Sequence, residues 1–154
     1  MTWFSNTSSR DATIAQSKVL AEPFKRFYSS FWQLPYIPAQ TLELCRLRIA
    51  ALHQCDAEWQ REEVSLAGPL RDELSQWNKS QEFSAAEKAA LAFTEVYTMD
   101  PQSISDDHAD AVKAHYGDAG LVALIEALGV FYGLTRVAQL WDLSPAEGKE
   151  VYRE

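Results

Sequence analysis

The longest apolar stretch of the chain runs from Leu121 to Trp141 and restricts the folds that the sequence can adopt. A helix of that length could cross a lipid bilayer. Glu126, Arg136 and Gln139 lie inside the stretch, however, and charged or strongly polar side chains are costly in lipid. We therefore predict a helix that is buried in a protein core or a subunit interface, and we expect no membrane partner.

Other segments of the chain show the same helical spacing. Leu42, Cys45, Ile49 and Leu52 recur at steps of three and four residues, which places them on one helix face. No segment alternates apolar and polar residues for long enough to indicate a strand. The sequence therefore predicts an all-α fold of about six to eight helices.

Prolines, glycines and capping residues divide the chain into helices. Ser84 and Glu87 have the spacing of a capping box, which marks the start of a helix. The predicted helices run from near Arg10 toward Trp32, from Pro38 to Gln54, from Asp56 to about Leu66, from Leu70 to Trp77, from Ser84 to Met99, from Ser105 or Asp106 to Tyr116, and through the apolar stretch that follows Gly117-Asp118. A last capping box is expected at Ser144 to Glu147. We expect residues 1–9 to form a flexible arm and residues 10–154 to form one domain.

The charge of the chain excludes one class of partner. Lys and Arg total 14 against 22 Asp and Glu, which gives a formal net charge of -8. The average field then repels phosphate backbones, so we expect no nucleic-acid partner. The N-terminal residues lack the basic start and apolar run of a secretory signal. We therefore expect a cytoplasmic location, where Cys45 and Cys55 would stay reduced.

Four residues form the local group most suited to chemistry. Cys55, Glu58 and Glu62 follow one another at i, i+3 and i+7, so on a continuous helix a thiol and two carboxylates would share one face. Glu43 precedes them on the helix before. The histidines are scattered without the pairing of a metal site, and we predict neither a metal nor another cofactor.

Three segments carry a resemblance to a known family: Glu43-Leu44-Cys45-Arg46-Leu47-Arg48-Ile49-Ala50 through Cys55, then Phe83 to Ala92, then Phe131-Tyr132-Gly133-Leu134-Thr135-Arg136. Together they resemble the carboxymuconolactone decarboxylase and alkylhydroperoxidase D family, over roughly Leu34 to Leu143. The resemblance implies a compact helical domain that assembles as a homo-oligomer, a trimer or hexamer. It also implies thiol-dependent reduction of peroxides, the activity of a peroxiredoxin-type antioxidant enzyme.

The chain departs from the pattern of the peroxidase branch of that family. The pattern is a glutamate, eleven residues, a cysteine, two residues, a second cysteine, three residues and a histidine. Glu43 and Cys55 match its first two elements, whereas Glu58 and Glu62 replace the second cysteine and the histidine. Disulfide-cycling peroxide reduction needs a second thiol to resolve the sulfenic acid. Cys45 lies about 280° around a helix from Cys55 and should face different surroundings.

The resemblance and the residues leave several functions open. A peroxidase would use Cys55, with Glu43, Glu58 and Glu62 around it and a hydroperoxide as substrate. A lactone decarboxylase would use Glu58 as an acid on a carboxylated lactone. A non-catalytic member would keep the helices only for assembly or ligand binding.

Each candidate residue also has a purely structural interpretation. Cys55 could pack in the core, Glu58 and Glu62 could belong to a solvated helix face with Arg61 and Glu63, and Glu43 could pair with Arg46 at i, i+3. His53 could approach the Cys55 thiol if the helix breaks between the two residues.

Overall fold

Seven α-helices make up the described part of the chain, which in this computed structural model comprises residues 9–141 and 143. The helices are α1 (Arg10–Ile14), α2 (Lys18–Phe31), α3 (Ala39–Leu52), α4 (Asp56–Trp59), α5 (Leu70–Glu73), α6 (Ala85–Met99) and α7 (Asp106–Leu140), with short 3-10 turns at Leu74–Gln76 and Pro101–Ser103. These residues contain no strand. The predicted all-α fold of six to eight helices is confirmed.

Helix α3 lies at the centre of the fold and packs against both α6 and α7. Leu42, Cys45 and Ile49 of its predicted apolar face are fully buried. Glu43 and Arg46 of the same helix are buried as well. Helix α3 is therefore enclosed on all sides, and its polar side chains must find partners inside the protein.

Two predicted helix starts are confirmed by their caps. At the start of α6, the Ser84 backbone N–H donates to Glu87 Oε2 at 2.9 Å, and the Glu87 N–H donates to Ser84 Oγ at 3.2 Å. At the start of α7, Ser105 makes the corresponding exchange with His108. Met99 is the last residue of α6, as predicted.

Helix α7 contains a sharp change of direction at the predicted break. Gly117 has φ 68° and ψ -177°, which no residue of a continuous helix adopts. Beyond it, Leu124, Leu128 and Phe131 point into the core. By length and composition α7 would suffice to cross a membrane, but these side chains pack in the core cluster of the protein.

The predicted helix from Asp56 to about Leu66 is wrong. Helix α4 ends at Trp59, and residues 60–69 form no helix. Side chains of α3 form hydrogen bonds with the backbone of this segment instead. Arg46 donates to the Arg61 carbonyl at 2.8 Å, and Glu43 accepts from the Glu63 N–H at 3.1 Å. These bonds occupy backbone groups that a continuing helix would have used.

The predicted first helix is divided, because α1 ends at Ile14 and α2 begins at Lys18. Residues 1–8 and the predicted cap at Ser144 to Glu147 lie outside the described residues. Ser9, the last residue of the expected arm, caps α1 by accepting from the Ala12 N–H at 3.2 Å.

Candidate functional site

Cys55 occupies the junction between α3 and α4. After α3 ends, Gln54 adopts the left-handed conformation with φ 52°, and Cys55 then takes the N-cap position of α4. The residue is 4% exposed, and its thiol donates to the Thr135 carbonyl of α7 at 3.9 Å. Burial raises the pKa of this thiol, the backbone N–H of Glu58 opposes that effect, and the Glu58 carboxylate adds to it.

Glu58 is held in α4 by two arginines. Arg10 Nη1 donates to both of its carboxylate oxygens, at 2.9 and 2.8 Å, and Arg46 Nη1 lies 3.4 Å from Oε2. Arg46 Nη1 also donates to the Glu58 backbone carbonyl at 2.7 Å. Glu58 is 1% exposed, so both its side chain and its backbone are fixed inside the protein.

Glu43 and Arg46 form the predicted i, i+3 pair, and the pair is wholly buried. Arg46 Nε donates to Glu43 Oε2 and Arg46 Nη2 to Oε1, both at 2.8 Å, the two-bond geometry that suits a guanidinium and a carboxylate. Burial acts to lower the pKa of Arg46, but the Glu43 carboxylate, together with Tyr28 and the Glu58 carboxylate, outweighs it and the pKa is raised. Arg46 therefore stays charged and links Glu43 to Glu58.

These contacts extend into a buried charge cluster, by which we mean Arg10, Asp11, Glu43, Arg46, Glu58, Arg61 and Glu63. Arg61 Nε lies 3.1 Å from Glu63 Oε1, and Arg61 Nη1 lies 3.1 Å from Asp11 Oδ2. Arg10 Nη2 lies 3.4 Å from Glu63. The cluster thus joins α1, α3, α4 and the segment after α4 through three positive and four negative groups.

The solvated helix face, given above as the structural alternative for these residues, is therefore wrong for three of its four residues. Glu58, Arg61 and Glu63 are buried in the cluster, and only Glu62 is exposed. Because α4 is short, Glu62 does not share a helix face with Cys55 and Glu58. It lines a small surface cavity with Arg71 and Asp72 instead.

Cys45 lies in different surroundings, as predicted. It is fully buried in the core next to Thr94 of α6. Burial raises the pKa of this thiol to about 12, a hydrogen bond with Thr94 opposes that shift, and the Glu87 carboxylate adds to it. Both cysteines are free thiols.

His53 lies just beyond the end of α3, so the helix does break before Cys55. The His53 and Tyr132 rings form a T-shaped contact, with ring centroids 5.3 Å apart and an interplanar angle of 75°. Burial lowers the pKa of His53, and the positive charge of Arg136 lowers it further. The His53 ring therefore lies against α7 at Tyr132 and Arg136.

Sequence reasoning missed Arg10, Asp11, Arg61 and Glu63 as parts of this site. Arg10 is 48 positions away from Glu58, and no local spacing links the two. The one available signal was Arg46, a charged residue among the apolar residues of α3, because a buried arginine requires acidic partners. No group of three or more His, Cys, Asp or Glu residues in the described part of the chain could hold a metal ion.

The fold around this site is that of the AhpD-like helical proteins. One solved structure that shares it is ATU0492 from Agrobacterium tumefaciens, a protein of unknown function proposed to be the antioxidant defence protein AhpD. It has 18% sequence identity and a TM-score of 0.72, and the match covers 87% of this chain and 96% of that one.

The debrominase Bmp8 shares the fold too. Its apo structure has 15% identity and a TM-score of 0.78, covering 89% of this chain and 76% of that one. A cysteine-to-alanine variant of Bmp8 in complex with 2,3,4-tribromopyrrole has 16% identity and a TM-score of 0.76. No protein-family profile and no curated protein matches the chain. At such identities the likeness concerns the fold.

Proposed function

We propose that the protein reduces small hydroperoxides with Cys55 as its single reacting thiol and an external thiol as reductant. The observation that carries this proposal is the continuous series of contacts from Cys55 to Glu58, Arg46 and Glu43. Three of the four candidate site residues, Glu43, Cys55 and Glu58, thus adjoin in one buried region. The AhpD-like fold supports the same function.

The reaction balances with a low-molecular-weight thiol as co-reactant. The Cys55 thiolate attacks one peroxide oxygen, the O–O bond breaks, and the alkoxide takes up a proton and leaves as an alcohol. The sulfenic acid formed on Cys55 is attacked by the external thiol, which releases water and leaves a mixed disulfide. A second external thiol displaces Cys55 as the thiolate and leaves as the oxidised disulfide.

The surroundings of Cys55 favour a slow reaction with a small substrate. The thiol is buried and its pKa is raised, so little thiolate is present at neutral pH. The activity should therefore rise as the pH increases above neutrality. A bulky hydroperoxide would have to displace α7 at Thr135 to reach the sulfur.

Lactone decarboxylation by Glu58 has less support from the geometry. An acid catalyst must carry a proton on a carboxyl oxygen. Both carboxyl oxygens of Glu58 already accept hydrogen bonds from the guanidinium of Arg10. A carboxylate in this arrangement acts as an acceptor and has no proton to give.

A non-catalytic role is the second candidate, and the buried charge cluster favours it. Glu43 and Glu58 bind arginines from α3 and α1 and thereby fix the segment after α4. The same two residues would be needed for folding in a protein that binds or assembles without reacting. Activity of Cys55 distinguishes the two candidates.

The experiment is to follow consumption of ethyl hydroperoxide with an excess of a low-molecular-weight thiol as reductant, using the natural chain, Cys55→Ser and Cys45→Ser. We expect turnover to be lost in Cys55→Ser and kept in Cys45→Ser, and a sulfenic acid to be trapped on Cys55 in the absence of reductant. Conversion of a carboxylated lactone, abolished by Glu58→Gln, would instead establish the decarboxylase. An unreactive natural chain would leave the non-catalytic role.

A homo-oligomer, a trimer or hexamer, in the cytoplasm is part of the proposal. Phe27, Tyr36 and Val122 are each about half exposed, at 49%, 51% and 56%. They line a common surface cavity between α2 and α7. A cluster of exposed apolar side chains of this kind is typical of a subunit contact.

A further inference from the structure

A second cavity, separate from the buried charge cluster, opens between the end of α3, the end of α6 and the last part of α7. Its volume is about 550 Å³, enough for a small organic molecule. The residues with polar or aromatic groups on its wall are His53, Tyr97, Thr98, Tyr132 and Arg136. Met99 and Pro101 complete its apolar edge.

Arg136 supplies the positive charge of this cavity. Its Nη2 donates to Tyr132 Oη at 2.8 Å and its Nη1 lies 3.4 Å from Gln139 Oε1, both neutral groups. Within residues 9–141 and 143, no carboxylate forms a salt bridge with it. In a chain of net charge -8, a guanidinium bound only to neutral groups can accept an added carboxylate at little cost.

His53 adds a second polar side chain to the wall of this cavity. Its Nε2 is buried and makes no hydrogen bond with any described residue. Gln139 Nε2 donates to the His53 backbone carbonyl at 2.8 Å and holds this residue against α7. Because Nε2 is closed off from water and has no partner among the described residues, a ligand atom gains a hydrogen bond to it when the ring turns toward the cavity.

The remaining walls suit a flat ring. Tyr132 lies at the centre, with His53 at 5.3 Å and Tyr97 at 6.4 Å between ring centroids, both nearly perpendicular to it. The Arg136 guanidinium lies over the Tyr132 ring at 5.0 Å. Perpendicular rings leave room for the edge of a further aromatic group, and such pairs are favourable.

We propose that this cavity binds a small aromatic carboxylate, with the carboxylate on Arg136 and His53 and the ring against Tyr97 and Tyr132. The site does not use the Cys55 thiol and is independent of peroxide reduction. It would give the protein a ligand-binding function whether or not Cys55 reacts.

The test is calorimetric titration of the full chain with benzoate, benzamide and acetate. Benzoate should bind in a saturable way, while benzamide, which lacks the charge, and acetate, which lacks the ring, should each bind at least about tenfold more weakly. Equal affinity for benzoate and benzamide would overturn the assignment of Arg136, and absence of benzoate binding would overturn the proposal as a whole.

Two exposed arginines give a matched pair of variants. Arg136→Gln should weaken benzoate binding about tenfold or more, whereas Arg26→Gln, which removes the same charge from the exposed face of α2, should change it less than about twofold. Equal effects of the two substitutions would mean that benzoate is attracted by positive charge in general, and would contradict a specific site at Arg136.

A spectroscopic measurement separates ligand binding from a structural role. The pKa of His53, followed by NMR of its ring protons, should rise when benzoate is added, because an added carboxylate favours the protonated imidazole. The groups that face His53 are Tyr132 and Arg136 of α7, and Tyr97 of α6 shares the cavity. Benzoate binding that persists in Cys55→Ser distinguishes this site from the proposed peroxide reduction. An unchanged His53 pKa would count against its contact with the ligand.

Discussion

The two cysteines differ mainly in what surrounds their sulfur atoms. Cys45 has the core on every side, and burial raises the pKa of its thiol to about 12. Burial also raises the pKa of Cys55, but there the N–H groups of Glu58 and Ala57 oppose the shift. Electrophiles in solution should therefore modify Cys55 before Cys45, and Cys45 should react only when the protein unfolds.

The raised pKa of Cys45 predicts a loss of stability at alkaline pH. The folded protein holds this proton more tightly than the unfolded chain does, whose thiol titrates near its ordinary value of 9.0. The stabilisation is complete below that pH and is lost as the pH rises toward about 12. By about pH 10 the free energy of unfolding should have fallen by about 1 kcal/mol on this account.

Urea unfolding of the natural chain and of Cys45→Ala at about pH 8 and about pH 10 measures this effect. Alanine lacks the thiol, so the variant should lose about 1 kcal/mol less than the natural chain between the two pH values. The comparison uses the change with pH, because the cavity left by the sulfur lowers stability equally at both. Identical losses in the two proteins would contradict the prediction.

Helix α1 shows how a short element depends on a few charged contacts. Its five residues are too few to form a stable helix alone. Two of them form ion pairs with the rest of the fold: Arg10 with Glu58 and Glu63, and Asp11 with Arg61. Arg10 is only 3% exposed, so the carboxylates that it binds have little access to water.

Arg10→Met should therefore be strongly destabilising. The substitution keeps much of the side-chain length but leaves Glu58 and Glu63 buried with one cation fewer, a change that typically costs about 3–5 kcal/mol. Urea unfolding measures the loss, and Arg26→Met on the exposed side of α2 is the matched control, expected within about 0.5 kcal/mol of the natural chain. A loss of under about 1 kcal/mol for Arg10→Met would mean that the cluster does not depend on α1.

Alanine substitution at two glycines of α7 should change the free energy of unfolding in opposite directions. A Cβ at Gly117 or at Gly133 would meet no atom within 4 Å, so the backbone alone decides the effect of alanine. Gly117 has φ 68° and ψ -177°, a conformation that is costly for other residues, and Gly117→Ala should lower the free energy of unfolding by about 1–3 kcal/mol.

Gly133 lies in the helical part of α7, where alanine is favoured, and Gly133→Ala should raise the free energy of unfolding by about 0.5–1 kcal/mol. Thermal unfolding of the two variants measures both effects. If Gly117→Ala were neutral or stabilising, α7 would be a straight helix in solution.

For the whole molecule, local patterns in the sequence predicted the helices but only part of the site. The start of α6 and the Glu43–Arg46 pair follow from residues three positions apart, while the end of α6 and the break in α7 follow from Pro101 and Gly117. The contacts of Arg10 with Glu58 join segments 48 residues apart, and nothing in either segment specifies the other. The helix predicted from Asp56 failed for the same reason, since α3 side chains bind the backbone that would have formed it.

The exposed apolar side chains between α2 and α7 predict that the protein forms an oligomer. Phe27, Tyr36 and Val122 would be removed from water if a second copy covered their common cavity, and a charge placed there would oppose the contact. Light scattering of the natural chain should give the mass of a trimer or hexamer, and Val122→Asp should shift it to the monomer. Val19→Asp makes the same substitution at a valine that is 83% exposed and outside this cavity, so it should leave the mass unchanged. A monomeric natural chain, or an equal response to both substitutions, would show that α2 and α7 do not form a subunit contact through this surface.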